Sequence, residues 1–211
     1  IDSEIKSTGR LAVTGDLRDL YTICLWSRVA SRVLMLIKRK NINAEYDVAE
    51  QLYGLAKSVN WTEQFSLEQT FAIRLSVDKR VAVSQQFAML RVKDAIADTF
   101  NEVYDSRPNV DSKNPDFSIF ATVNDKQAEL YLDLSGTSLH RRGYRVAMTE
   151  APLKENLAAA LLYSAGWHKK NDAGDAPYYD ALIDPMCGSG TFLIEALLMH
   201  CDYAVGIDKA A

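Results

Sequence analysis

Residues 180–195, DALIDPMCGSGTFLIE, limit the fold more than any other stretch of the chain. Ala181, Leu182 and Ile183 form a short apolar run that ends on Asp184. Pro185 and a small-residue loop holding Gly188, Ser189 and Gly190 follow, and residues 191–200 then have the composition of an apolar helix. Strand, glycine turn and helix in that order is how an open α/β sheet presents a nucleotide-like ligand at the carboxyl ends of its strands. Glycine allows the backbone to approach the ligand closely, and the first turn of the helix offers N–H groups without intrahelical partners. Eighteen residues past Gly190, a second apolar run, residues 204–207, ends on Asp208. An acid about 20 residues beyond the turn is placed to accept hydrogen bonds from ribose hydroxyls.

The spelling of the turn narrows the ligand. A dinucleotide fingerprint requires G-x-G-x-x-G, but Leu193 stands where the third glycine belongs. A phosphate loop requires G-K-[ST], and the chain reads Gly190-Thr191-Phe192. What remains is a strand-end acid, a G-x-G turn and a second acid after the next apolar run, with a plain βα turn as the alternative. Asp184-Pro185-Met186-Cys187-Gly188-Ser189-Gly190-Thr191 resembles the first motif of class I S-adenosylmethionine-dependent methyltransferases, and in this spelling the narrower group of THUMP-containing RNA methyltransferases. The resemblance implies that Asp184, Pro185, Cys187, Gly188, Gly190, Thr191 and Asp208 bind S-adenosylmethionine. Cys187 has no base beside it in sequence and reads as a thiol packed inside the turn. Glu195, one helical turn past Thr191, reads as a residue orienting the helix start.

Upstream, residues 10–14 suggest a strand, Asp16 a cap for a helix over residues 17–29, and residues 33–37 a buried strand running into Lys38-Arg39-Lys40. A helix is expected over residues 44–59, broken at Asn60-Trp61, then an alternating strand over 70–77. Ser84 is placed to cap a long helix from Gln85 to Tyr104. Two strands, 117–123 and 128–134, are joined by the hairpin signal Asn124-Asp125-Lys126. The stretch QFAMLRVKDAI, residues 86–96, and the later Asp133-Leu134-Ser135-Gly136 resemble the middle helix and the closing strand of the THUMP domain. In that family the domain holds structured RNA and presents it to the catalytic domain. The alternative is an ordinary α/β packing module.

Residues 135–148, SGTSLHRRGYRVAM, carry three arginines, a histidine and no acid. Guanidinium groups suit phosphate oxygens, and a tyrosine between them can stack on a base. His140, Arg141, Arg142 and Arg145, with Lys93 on the long helix, are therefore the RNA-binding candidates. The alternative is a solvated basic loop with a packed tyrosine. The family carries a similar L-H-x-R-G-Y-R stretch, which favours RNA. Residues 150–166 then read as a helix with Pro152 near its start and Gly166 at its end.

The resulting expectation is an α/β chain with an α+β N-terminal part. A partial ferredoxin-like element covers residues 1–44, and a THUMP domain with the basic linker covers 45–146. The start of a Rossmann-like methyltransferase domain covers 147–211. Composition agrees: 48% of the 211 residues are hydrophobic and 25% charged, enough to bury a core. Net charge is −4, mildly unfavourable for a dedicated nucleic-acid binder, so RNA contacts must come from local basic clusters. No run approaches the roughly 18–20 apolar residues of a membrane span. The three cysteines make neither a paired framework nor C-x-x-C metal spacing, and a cytoplasmic location without a metal is expected.

The resemblance implies an enzyme that methylates the exocyclic N2 amine of a guanine in large-subunit ribosomal RNA. The family's target-holding N/D-P-P-[FYW] tetrad does not occur in these residues. The first residue is not methionine, and a complete fold would take on the order of 100 further residues, so an N-terminal fragment is expected. A non-catalytic RNA-binding module, or a methyltransferase acting on another RNA or on DNA adenine, are the competing functions.

Overall fold

Asp16 starts the first helix by a reciprocal cap. Its carboxylate accepts from the Asp19 backbone N–H at 2.9 Å, and the Asp19 carboxylate accepts from the Asp16 N–H at 3.0 Å. The helix it begins, α1, spans Leu17–Trp26. In front of it, β1 (Asp2–Ser7) and β2 (Arg10–Thr14) form an antiparallel hairpin. Strand β1 was not legible in the sequence, because its charged residues are interleaved with a single isoleucine and Ile5 is 80% exposed. The computed structural model describes residues 2–7, 9–145, 152–169 and 179–207.

The chain divides into two compact units. One comprises Ile1–Val33 with Thr137–Ala211, and the other is Leu34–Gly136. The second unit is thus inserted, in sequence, between the two segments of the first. The strand expected at residues 33–37 is β3, Leu34–Asn41, and it belongs to the inserted unit. Its edge pairs antiparallel with β6, as Leu34 with Asp133 and Asn41 with Gln127, so backbone hydrogen bonding assigns it there and not to the N-terminal element.

Within the inserted unit the mixed sheet runs β3-β6-β5-β4, with β4 at Phe71–Val77, β5 at Phe117–Val123 and β6 at Gln127–Asp133. β4 and β5 are parallel, which requires a crossover, and α3 (Gln85–Tyr104) supplies it. The β5–β6 hairpin closes where Asn124 accepts from the N–H groups of Lys126 and Gln127. Helix α2 runs Val48–Lys57, four residues shorter at its start than the hydrophobic period suggests. Asp47 explains the difference: its carboxylate accepts from the Ala49 and Glu50 N–H groups and caps the helix there. Leu52, Leu55, Trp61, Phe65, Phe71, Ile96, Phe100, Ile119 and Leu130 form one core between α2, α3 and the sheet. Phe65 lies 4.8 Å, ring to ring, from both Phe100 and Phe117.

In the other unit, α4 spans Glu155–Ser164 and α5 spans Thr191–His200. Gly166 ends α4 at φ +82°, with its N–H donating to Tyr163 and that of Trp167 to Leu162. The strands expected at residues 181–183 and 204–207 are not formed. A parallel strand needs a neighbour, and the strands described in this unit, β1 and β2, pair with each other. Ile183, an intended buried position, is 84% exposed.

Candidate functional site

The glycine turn is built with its left-handed positions at the two glycines. Gly188 has φ +52° and Gly190 φ +72°, and a Cβ at either would meet no atom of the described residues within 4 Å. Side chains are therefore excluded by backbone conformation, and the space beside the turn is open to a ligand. The Gly190 N–H closes the turn onto the Cys187 carbonyl at 2.7 Å. No side chain caps α5, whose cap residue is Gly190 itself. At the entry to the turn, Asp184 Oδ1 accepts from the Met186 N–H at 3.1 Å, while Oδ2 is buried without a hydrogen-bond partner among the described residues. A carboxylate oxygen out of water and unpaired is costly, so this atom is poised for a donor. Pro185 and Cys187 are exposed, so the thiol is not packed inside the turn as the sequence suggested. Its Sγ lies 3.9 Å from the Gly188 carbonyl. Asp208 falls outside the described residues.

The basic stretch corrects the sequence reading. Arg142 is 3% exposed and does not reach the surface. Its Nη1 donates to the Leu139 carbonyl at 2.7 Å, its Nη2 to the Arg28 carbonyl, and its Nε pairs with Glu195 at 3.5 Å. The Tyr144 hydroxyl donates to the same Glu195 oxygen at 3.0 Å. Tyr144 is thus a half-buried, hydrogen-bonded partner rather than a free stacking surface; desolvation and the Glu195 carboxylate push its phenol up from the ordinary tyrosine value. Arg145 pairs with Glu155 at 3.2 Å and donates to the Leu153 carbonyl and to Thr191 Oγ1. The carboxylates that occupy these side chains, Glu195 and Glu155, lie outside the basic stretch, which spacing could not reveal. His140 Nδ1 lies 2.7 Å from Ser138 Oγ, and Arg141 is the exposed member of the group. Lys93 lies on α3 of the other unit, 3.7 Å from Asp94.

Glu195 is the hub that the sequence understated. It is fully buried, and burial pushes its carboxyl up from the ordinary glutamate value against the opposing pull of Arg142, Tyr144 and Arg28. Arg28 was legible only as a position on the α1 period, yet it is 6% exposed. Its Nη2 donates to the Leu198 and Tyr203 carbonyls, at 2.9 and 2.7 Å, near the end of α5, where the Leu198 carbonyl also accepts from the Tyr203 N–H at 3.0 Å. The Gly206 N–H donates to the Leu25 carbonyl, and a Cβ at Gly206 would collide with the α1 backbone. Among the described residues no cluster of His, Cys, Asp or Glu could hold a metal ion. Among them, too, no helix is long and apolar enough to cross a membrane.

Three family models tile the chain: the RlmL ferredoxin-like domain over residues 4–34, the THUMP domain over 46–133, and the RMKL-like methyltransferase domain over 142–210. The chain carries THUMP and RMKL-like methyltransferase family-model domains. Its relatives include the ribosomal RNA large subunit methyltransferase K/L of Psychrobacter cryohalolentis, 95% identical over 211 residues, which is 100% of this chain and 27% of that protein. The protein of the same name from Acinetobacter baumannii (strain AYE) is 45% identical over 96% of this chain and 27% of its own length. The chain therefore spans about a quarter of the curated relatives it matches. Among solved structures it is similar to SMU.472 complexed with SAH, at a TM-score of 0.77 and 27% identity over 97% of this chain and 51% of that one. It is also similar to a predicted N6-adenine-specific DNA methylase from Listeria monocytogenes, at 0.72 and 29%, covering 91% and 47%. The THUMP model falls within the inserted unit, and the methyltransferase-domain model spans the glycine turn.

Proposed function

We propose that this chain supplies the RNA-holding unit and the cofactor turn of an S-adenosylmethionine-dependent methyltransferase acting on large-subunit ribosomal RNA. The observation that carries the reading is the pairing of an orphaned Asp184 oxygen with an open, left-handed Gly188–Gly190 turn that leads into an uncapped helix. These residues fit the group. A cationic sulfonium cofactor with an amino-acid tail and ribose hydroxyls offers donors for a lone carboxylate oxygen and a carboxylate for backbone N–H groups. When bound, it supplies an electrophilic methyl group for in-line transfer. The work of this chain is positional. Gly188 and Gly190 let the backbone approach, Asp184 accepts polar contacts directly or through water, and the α5 N-terminus favours a carboxylate. Pro185, Cys187 and Thr191 shape the turn, and Asp208 is assigned the ribose hydroxyls.

On the RNA side, the inserted THUMP unit is assigned the holding of structured RNA. Arg141, His140 and Lys93 remain the candidate phosphate contacts. Arg142 is withdrawn from that list because a guanidinium buried against Glu195 cannot reach a phosphate. The names of the K/L relatives support large-subunit ribosomal RNA as the substrate class, and a cytoplasmic setting is proposed with it. The exocyclic N2 amine of guanine is the finer proposal and rests on resemblance to the enzymes that methylate it.

Calorimetry with S-adenosylmethionine on the full-length protein, against an Asp184→Ala variant, tests the reading. Loss of a charge-assisted contact should weaken binding by roughly tenfold or more; equal affinity removes Asp184 from the site. Filter binding of structured RNA against duplex DNA tests the substrate class. Preference for RNA is expected, with an affinity that falls as salt rises, and preference for DNA rejects the assignment.

A further inference from the structure

The glycine turn has an open side, and openness leaves it without packing to hold its shape. No described residue would contact a Cβ at Gly188 or Gly190, so beyond its own Gly190–Cys187 backbone bond the turn is held from its ends. Its leading end is tied by Asp184 to the Met186 N–H. Its trailing end is Thr191, the first residue of α5, which is 4% exposed. Thr191 Oγ1 lies 3.2 Å from Ser189 Oγ inside the turn and 3.3 Å from Arg145 Nη2. The same Arg145 nitrogen donates to the Leu153 carbonyl at 3.0 Å and pairs with the Glu155 carboxylate at 3.2 Å. Glu155 is the first residue of α4 and is 7% exposed. One guanidinium nitrogen therefore clips the start of α4 to the start of α5, immediately behind the turn.

We propose that Arg145 is a positioning residue for the cofactor turn, acting through Thr191 Oγ1, and not an RNA phosphate contact. The inference rests on the cofactor reading of the glycine turn given above. Arginine suits the role because the Nη2 that makes all three contacts is fixed in direction by the rigid, planar guanidinium. A lysine at this position would keep the charge and lose that geometry. The Arg145–Glu155 pair is largely out of water, so the clip is screened little by salt.

The test uses the full-length protein with S-adenosylmethionine in calorimetry and a structured RNA in filter binding across a salt series. Arg145→Lys and Thr191→Val are compared with Thr191→Ser, which retains the hydroxyl. Both Arg145→Lys and Thr191→Val should weaken cofactor binding by roughly tenfold, while Thr191→Ser stays close to the parent. The double variant should be little worse than the weaker single variant, because the two residues act through one contact. RNA affinity and its salt slope should be unchanged, and KM for the cofactor should rise while KM for RNA does not. Additive losses in the double variant would overturn the coupling. So would unchanged cofactor affinity in Arg145→Lys with an RNA salt slope reduced by about one, the signature of a lost phosphate contact. If the parent protein itself fails to bind S-adenosylmethionine, the cofactor reading falls and this inference with it. Normal parental binding with unaffected variants overturns the positioning role alone.

Discussion

Replacing Arg142 with methionine should destabilise the unit that carries the glycine turn by about 3–5 kcal/mol, the usual cost of removing one partner from a buried ion pair. Glu195 would then be left fully buried with the Tyr144 hydroxyl as its remaining hydrogen-bond donor, and its second oxygen already has none. Arg142 also satisfies the Leu139 and Arg28 carbonyls, so the substitution strips two further acceptors. Hydrogen exchange followed by mass spectrometry gives the readout. Amides of α5 should lose protection while those of Leu34–Gly136 keep theirs, since the two stretches belong to separate compact units. Unchanged protection in α5 would show that the pair contributes nothing to the fold.

The same pair gives a pH signature whose sign follows from burial. The Glu195 carboxyl is raised in the folded state, so the folded chain binds more protons than the unfolded chain between the unfolded glutamate pKa, about 4.3, and the folded value. Stability contributed at this site therefore falls as pH rises through that window and levels off above it. Arg142→Met should steepen the fall, making its penalty smaller near pH 5 than near pH 8. In Glu195→Gln the dependence should disappear, because an amide does not titrate. A double Arg142→Met, Glu195→Met variant should recover much of the loss, as apolar replacements of buried pairs often do.

These residues also mark where the sequence stopped being informative. The long helix α3, the hairpin strands and α5 were legible because their apolar periods and caps are local. Ser84 accepting from the Phe87 N–H is a signal contained within four residues. The glycine turn was legible for the same reason. By contrast, Arg142 and Arg145 looked like phosphate ligands because residues 135–148 hold no acid. Their carboxylates, Glu155 and Glu195, lie outside that stretch, and only the fold brings them together. Asp184 stands before the turn, but the strand expected in front of it was not formed, because strand formation depends on neighbours that a local pattern does not supply. Likewise β3 looked like the end of the first element from its apolar run, and its partner β6 begins more than eighty residues later.

Trp61→Ala should cost the inserted unit about 3–5 kcal/mol, the usual range for deleting a large core aromatic. From sequence, Trp61 was only the point where α2 stops. In the structure it is fully buried, on a short 3-10 turn, with its indole N–H donating to the Ala56 carbonyl at 2.8 Å. It therefore fills the core and also satisfies a carbonyl in the last turn of α2. Alanine would remove the apolar volume and the indole donor, leaving that carbonyl with the Val59 N–H at 3.1 Å, two losses that add at one position. Phenylalanine restores most of the volume without the donor, so Trp61→Phe should recover the larger part and leave a residual of about 1 kcal/mol. Exchange protection should fall in α2 and α3 and stay constant in α5. If the inserted unit holds the RNA, Trp61→Ala should weaken RNA binding in proportion to the unfolded fraction while leaving calorimetric affinity for S-adenosylmethionine in place. Loss of cofactor binding together with RNA binding would show that the glycine turn depends on the inserted unit, and the assignment of the two tasks to two units would have to be abandoned.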